Sequence, residues 1–359
     1  MKVNPVLINK NINFKGHEAR KLDALVVQNR KHNANIIFEQ LNNIAMQHKL
    51  RVIQAPKDAP TWIQDYIVIT PEKKALGYLA HSDELTKQCG FEKIDSNNPL
   101  NFKSDTSEGG NIFYVKNKDN QNILIYSKDE KTDCLLGLEK EYNVAKIIEL
   151  PKADYHTDLF ITPIGDNKIL VANDNLMLEE ITKMSQKISD FITANPTDKD
   201  IDRLKQIQEK IINLGIEFSS SKEVFKNKNA DEQVCEILEK EGFEIIKVPS
   251  RLYECNKDTP ILLSRRKLNY SNAITFKNDK NEVVYITGKS HIDDEIGITK
   301  EISKKVGIGF ENAFKDSISE HIKLENIYFI NGSDDIPLSD VLYKFGGGLH
   351  CMCFEVPSI

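Results

Sequence analysis

No C-x-x-C pair occurs among the six cysteines, at positions 89, 134, 235, 255, 351 and 353. Their scatter argues against a disulfide framework and against finger-type zinc spacing. Most are read as buried thiols, which behave as small apolar side chains. Long apolar runs are also missing: NILIY and NIYFI fall far short of the about 20 residues that span a bilayer. The opening stretch MKVNPVLINKNINFKG has neither an apolar signal core nor a small-residue cleavage site, so a cytoplasmic protein with no membrane partner is expected. There is no basic block, and a net charge of −6 sets nucleic acid aside as a main partner. A calcium-hand loop of Asp, Asn and Gly is absent as well, and HIDDE (291–295) reads as a solvated helix start.

What the chain does have is length, 359 residues with 40% hydrophobic, and a pattern that recurs along it. After a helix-like stretch, an apolar strand runs into a proline in HKLRVIQAP (48–56), EYNVAKIIELP (141–151) and EGFEIIKVP (241–249). Each is followed by a loop and a second apolar strand, DYIVIT (65–70), DLFITPI (158–164) or NAITFKN (272–278). A polar turn then leads to a third strand, ALGYLA, KILVAN or EVVYITG. Two further hairpins, GGNIFYVKNKDNQNILIYSK (109–128) and the terminal GGGLHCMCFEV, complete the series. Modules that cannot bury their own faces predict a ring or solenoid, and an N-terminal strand, PVLI or ALVVQ, is positioned to pair beside the last module and close it. The polar helical stretch from about 176 to 230 breaks the spacing and reads as a two-helix insertion on the rim, within one domain over 1–359.

In a ring, equivalent positions converge on the axis. The residues that lead into each module's first strand are Asp65, Glu108, His156 with Asp158, Asn272 and Cys351. Strand alternation would put His156 and Asp158 on one face, and likewise Cys351 and Cys353. A thiol beside an imidazole can ionise and exchange its proton. Paired carboxylates match the fixed donor fork of a guanidinium. Such a carbon already carries positive charge and needs acids rather than an oxyanion hole, so the set suits attack on a guanidine better than peptide cleavage. Taken singly, each residue has a blander reading. A cysteine here could be core, HTD could simply open a strand, and Trp62 could be a packing residue. Zinc is an alternative user of His, Asp and Cys, although carboxylates outnumber the other donors. It is the joint placement that argues for a site.

The motifs WIQD (62–65), EGG (108–110), HTD (156–158) and GGGLHC (346–351), in this order, resemble those of the guanidine-modifying enzymes, the arginine deiminase and amidinotransferase group. The resemblance covers about residues 50–359. It implies an α/β fold, the five-bladed α/β propeller (pentein) of ββαβ modules with pseudo-fivefold symmetry. WIQD with HTDLF, the insertion and YSNA are most similar to protein-arginine deiminases, whereas EGGN and GGG before HC resemble agmatine and free-arginine deiminases. By this resemblance Cys351 is the nucleophile, Asp65 and Asp158 hold the guanidinium nitrogens, and His156 is the acid and base. Glu108 orients or charges His156, and Trp62 packs along the substrate stem. Gln64, Asn272, Gly347 and Gly348 are supporting residues.

The function implied is deimination of peptidyl or protein arginine to citrulline and ammonia through a thiouronium, with agmatine or free arginine as alternative substrates. Amidino transfer would need the same residues. A five-bladed binding module that has lost its chemistry is the alternative of a different class, and a papain-like protease is disfavoured because its cysteine precedes its histidine. No cofactor or metal is expected. Calcium enters only through the vertebrate relatives, whose acidic ligands are replaced here by Tyr66, Ile67 and Val68. Two further departures stand out: Gln64 occupies a position where small-molecule enzymes have arginine, and Cys353 one where the family has threonine or serine. The oligomeric state is not legible.

Overall fold

The structure, a computed structural model, describes residues 21–28, 34–69, 73–93, 109–119, 121–127, 144–154, 156–224, 230–254, 265–331 and 348–358. Its strands are short, and they group by one rule repeated along the chain. β1 (Leu22–Val27) is followed by helix α1 (Ala34–Gln47) and β2 (Arg51–Gln54). Then come β3 (Val68–Ile69), β4 (Lys74–Leu76), helix α2 (Asp83–Cys89) and β5 (Glu92–Lys93). The next group is β6 (Ile112–Lys116), β7 (Asn122–Ser127) and β8 (Lys146–Leu150). It is followed by β9 (Ile161–Gly165) and β10 (Lys168–Ala172), then three helices, α3 (Asp174–Ala194), α4 (Ile201–Val224) and α5 (Ala230–Lys240), and β11 (Glu244–Val248). A hairpin of β12 (Arg251–Glu254) and β13 (Arg265–Asn269), not anticipated from the sequence, precedes β14 (Ala273–Lys277) and β15 (Val283–Gly288). Helices α6 (Ile292–Ile296), α7 (Lys300–Val306) and α8 (Phe310–Ile318) lead to β16 (Ile327–Ile330), and β17 (Cys353–Pro357) closes the series.

Among the described residues these strands form five three-stranded sheets and the β12–β13 hairpin. In every three-stranded sheet the middle strand pairs antiparallel with one neighbour and parallel with the other: β3-β4-β5, β6-β7-β8, β9-β10-β11, β14-β15-β16 and β17-β1-β2. The parallel step needs a long crossover, and in four of the five sheets described helices supply it. The last sheet is assembled from both ends of the chain, with Val27 opposite Cys353 and Ala24 opposite Val356. The ALVVQ segment is therefore the closing strand, while PVLI lies outside the described residues.

From Ala24 on, β1 reads as an unbroken apolar run because both of its faces are buried there. Alternation sends Leu25 and Val27 toward α1, Ile274 and Phe276, and sends Ala24 and Val26 toward Ile53, Phe354 and Val356. The α3–α4 pair is built from two stripes at helical spacing, Met177, Ile181, Met184 and Ile188 against Leu204, Ile207, Ile211, Leu214 and Phe218. Asn173 caps α3 by accepting from the Leu176 N–H at 2.8 Å. These helices share one apolar cluster with β-strand residues Leu170, Ile246 and Tyr285, so their inner face is core. No described helix is long and apolar enough to cross a membrane.

HIDDE does open a helix, α6, with Asp294 and Glu295 exposed, but Asp293 is half-buried, and its carboxylate accepts the Phe310 N–H at the start of α8, at 3.1 and 3.2 Å. Burial raises its pKa to about 6, only partly offset by that hydrogen bond. A carboxyl whose folded value lies above its ordinary 3.8 contributes stability below that value and loses it as pH rises through about 6. Asp293→Asn is therefore expected to raise the melting temperature at pH 7.5 and to change it little at pH 4. Equal shifts at the two pH values would show that the charge is not the cause.

Candidate active site

Three of the residues or residue sets expected at the axis, and Gly110 of the EGG motif, stand beside or within short 3₁₀ turns rather than on strands. Gln64 and Asp65 belong to the turn Ile63–Tyr66, Gly110 to Gly109–Asn111, Asp158 to Thr157–Leu159 with His156 just ahead of it, and Cys351 to His350–Met352. The turns touch one another: the Asp65 turn meets those of Gly110 and Cys351, and the Gly110 turn meets that of Asp158. Strand alternation consequently does not apply to either pair. His156 and Asp158 are placed by a turn, and Cys351 is not on the face of Cys353. Cys353 opens β17 and faces the apolar cluster of Leu25, Ile274 and Phe276.

Side-chain hydrogen bonds lock the turns together. Thr157 Oγ1 reaches Asn111 Oδ1 at 2.7 Å, and the Thr157 N–H donates to the same oxygen at 3.2 Å. Gln28, at the end of β1, donates to the carbonyls of Ala59 and Pro60 at 3.0 and 2.6 Å and so holds the loop ahead of WIQD. Asn269 Oδ1 accepts the N–H groups of Ser271 and Asn272, which bends the chain and presents Asn272. The Asn272 amide then links three modules. Its Oδ1 accepts the His350 N–H at 2.7 Å, and its Nδ2 donates to Asp158 O and to Cys351 Sγ, both at 3.4 Å.

This closeness requires glycine at 348 and leaves little room for a side chain at 110. A Cβ on Gly348 would overlap the Asn272 amide, and one on Gly110 would sit 3.1 Å from both Asp158 Oδ2 and His156 Nδ1. Gly110 therefore marks a point shared by the acid and the imidazole. Gly347 and Glu108 lie outside the described residues.

Asp158 is the hub. Its Oδ2 takes the His350 Nδ1 at 2.9 Å and faces Cys351 Sγ at 3.6 Å. Its Oδ1 is buried and has no hydrogen-bond partner among the described residues. Across the site His156 Nδ1 stands 3.7 Å from Asp65 Oδ1. Trp62 is half-buried and packs against the cluster containing Leu349 and Met352, while Gln64 is buried with its Oε1 unbonded among the described residues.

The electrostatics follow from burial among acids. Burial pushes the Cys351 thiol well above its ordinary value, and the anions of Asp158 and Asp65 push it further. The Gly348 N–H and the Asn272 amide oppose them. Cys353 is also pushed up, by burial and by Glu355. His350 goes the other way from a simple buried base. Burial favours its neutral form, but Glu355 and the hydrogen bond to Asp158 together raise it to about 10. Among the described residues no group of three or more His, Cys, Asp and Glu side chains converges as metal ligands.

Sequence reasoning missed His350 and Glu355 as members of the site. The only signal was HC in the terminal motif, since Glu355 reads as one polar residue in an apolar strand. The pairing with Asp158 joins residues 192 apart in sequence.

No family model and no curated protein sequence matches the chain. Solved structures do. An agmatine deiminase from C. jejuni, a cysteine-to-serine variant with substrate bound, superimposes over 95% of each chain with a TM-score of 0.50 at 15% identity. A structural-genomics target named as a candidate agmatine deiminase covers 96% of this chain and 95% of its own, with a TM-score of 0.51 at 10% identity. The chain shares the fold of these structures, the pentein fold. In pentein terms the described protein is a mixed α/β chain of several small sheets, whose strand lead-ins meet at one cluster of acids, histidines and a thiol.

Proposed function

We propose that the protein is a cysteine-dependent hydrolase of guanidinium groups, with the five repeated sheets as five blades of one propeller-like domain over 1–359 and the site on its axis. The observation that carries this reading is the Cys351 thiol placed 3.6 Å from a buried carboxylate oxygen of Asp158, whose second oxygen has no hydrogen-bond partner among the described residues. An acyl substrate developing negative charge would be repelled by Asp158 and Asp65, whereas a cation is attracted. A guanidinium held by the two acids also offsets the anions that keep the thiol protonated, so its arrival favours the thiolate.

In this mechanism Cys351 loses its proton to His156 and the thiolate attacks the guanidinium carbon. One C–N bond breaks, His156 returns the proton, and ammonia leaves. The carbon stays bonded to sulfur as a thiouronium. Water then attacks that carbon, His156 takes one of its protons and passes it to solvent, and the C–S bond breaks as the remaining hydroxyl proton goes to the departing sulfur, which releases a ureido group and restores the Cys351 thiol. Asp65, 3.7 Å from His156, supports the imidazolium that forms in each half.

Two substrate classes fit. Peptidyl arginine is supported by the likeness of WIQD and HTDLF to protein-arginine deiminases. Agmatine is supported by EGG and GGGLHC and by the fold shared with structures named for that activity. The deciding assay measures ureido product from a blocked arginine peptide, free arginine and agmatine, each with and without calcium. Product from one class is the expected result. Absence of product from all three, with folded protein, would favour a five-bladed binding module.

A further inference from the structure

One buried histidine is left over from the chemistry above. His350 Nδ1 lies 2.9 Å from Asp158 Oδ2, and its Nε2 lies 3.3 Å from Glu355 Oε1. Phe113 stacks on the ring with centroids 6.2 Å apart and planes at 22°, and the backbone N–H is tied to Asn272. Ionised carboxylates only accept hydrogen bonds, so a ring that satisfies both must donate from both nitrogens, which makes it an imidazolium. Such a ring has no lone pair left for the Cys351 proton. That separates the two histidines of the site: His156 for proton transfer, His350 for something else.

We propose that His350 and Glu355 are positioning residues that fix Asp158 Oδ2, so that Asp158 Oδ1 and the Cys351 thiol face the substrate together. This rests on the guanidinium-hydrolase reading. Three observations support it. First, the two oxygens of Asp158 are unequally used: Oδ2 meets His350 and Cys351, while Oδ1 is buried without a hydrogen-bond partner among the described residues. A buried carboxylate oxygen left in that state is costly and marks a place kept for a donor. Second, the ring cannot rotate away, because Phe113 covers its face and Asn272 holds its backbone. Third, the charges need it. Asp65 and His156 come from the turns beside Asp158, Cys351 adjoins the ring, and Cys353 and Glu355 stand on β17. One fixed cation among three acids limits their mutual repulsion.

Glu355→Gln keeps the size and the acceptor oxygen and removes the charge. The ring then loses its proton at lower pH, and Asp158 loses its anchor on the alkaline side. The readout is the rate of Cys351 alkylation by 2-chloroacetamidine relative to iodoacetamide, because only the former carries an amidinium. In the variant this preference is expected to fall about ten- to a hundredfold at pH 8.5 and far less at pH 6.5, the scale seen when a supporting group lets a reacting pair slip. A merely structural role would lower both rates at every pH. In parallel, ¹⁵N spectra of the histidine rings should show His350 protonated at both nitrogens at pH 8.5 in the wild type and neutral in Glu355→Gln. His350→Gln should lose the preference at both pH values. If that variant does not fold, the Glu355→Gln profile and the wild-type spectra still decide. A neutral His350 ring in the wild type at pH 7, or a wild-type pH profile in Glu355→Gln, would overturn the proposal. A wild type that shows no amidinium preference yet keeps the doubly protonated ring would instead overturn the guanidinium reading, and this proposal with it.

Discussion

Cys351→Ala is expected to abolish ureido formation, by about 10⁴-fold or more, as loss of a nucleophile does when its partners act as one unit. Cys353→Ala should keep activity within about threefold and lose on the order of 1 kcal/mol of stability, because it trims a thiol from an apolar cluster. The contrast follows from where β17 begins. Cys351 stands in the turn with Asp158 and Asn272 on its sulfur, whereas Cys353 is two residues on, among Leu25, Ile274 and Phe276. Single-turnover assays with mass detection of the thiouronium adduct would place the sulfur directly. An adduct on Cys353, or full activity in Cys351→Ala, would dismantle the assignment.

Asp158→Asn should pull two measurable properties in opposite directions. The Asp158 anion is one of the causes that hold the Cys351 thiol protonated, so its removal lowers the thiol pKa and should speed alkylation by iodoacetamide near neutral pH. Deimination should nevertheless fall by at least about 10²- to 10³-fold, since an electrostatic partner of the reacting cation is gone. A variant with a more reactive cysteine and almost no turnover is hard to explain by unfolding or by loss of the nucleophile. Parallel loss of both activities would mean that Asp158 serves the fold and not the substrate.

Much of the arrangement could be read from the chain because its modules repeat. Asp65, His156, Asp158, Asn272 and Cys351 all stand ahead of equivalent strands, and the structure brings them together through touching turns and the Asn272 amide. What could not be read was the local backbone. The 3₁₀ turns take Cys351 off the strand, so a period of two assigned it the wrong companion. Nor could His350 be told from a passive neighbour of the cysteine. Its meaning depends on Asp158, far away in sequence, and on Glu355, whose exposed or buried state is decided by β1 lying beside β17. In HIDDE the helix start and the exposed Asp294 and Glu295 follow the charge density, while the role of Asp293 does not, because its partner is the Phe310 N–H at the start of α8. Glu108 and Gly347 belong to segments outside the described residues.

The pairing of β1 with β17 also bears on when the protein becomes competent. These strands are separated by nearly the whole chain, and joining them is among the least local contacts the fold contains. Loop-closure entropy puts such contacts late in folding. Cys351, the proposed nucleophile, sits one step before the closing strand, and its neighbours come from turns in earlier modules. A nascent or half-assembled chain can therefore hold the acids and His156 in nearly final form while the thiol is still elsewhere. On the proposed function, reactivity would arrive with the final latch, and an incompletely folded molecule would not modify whatever guanidinium it met.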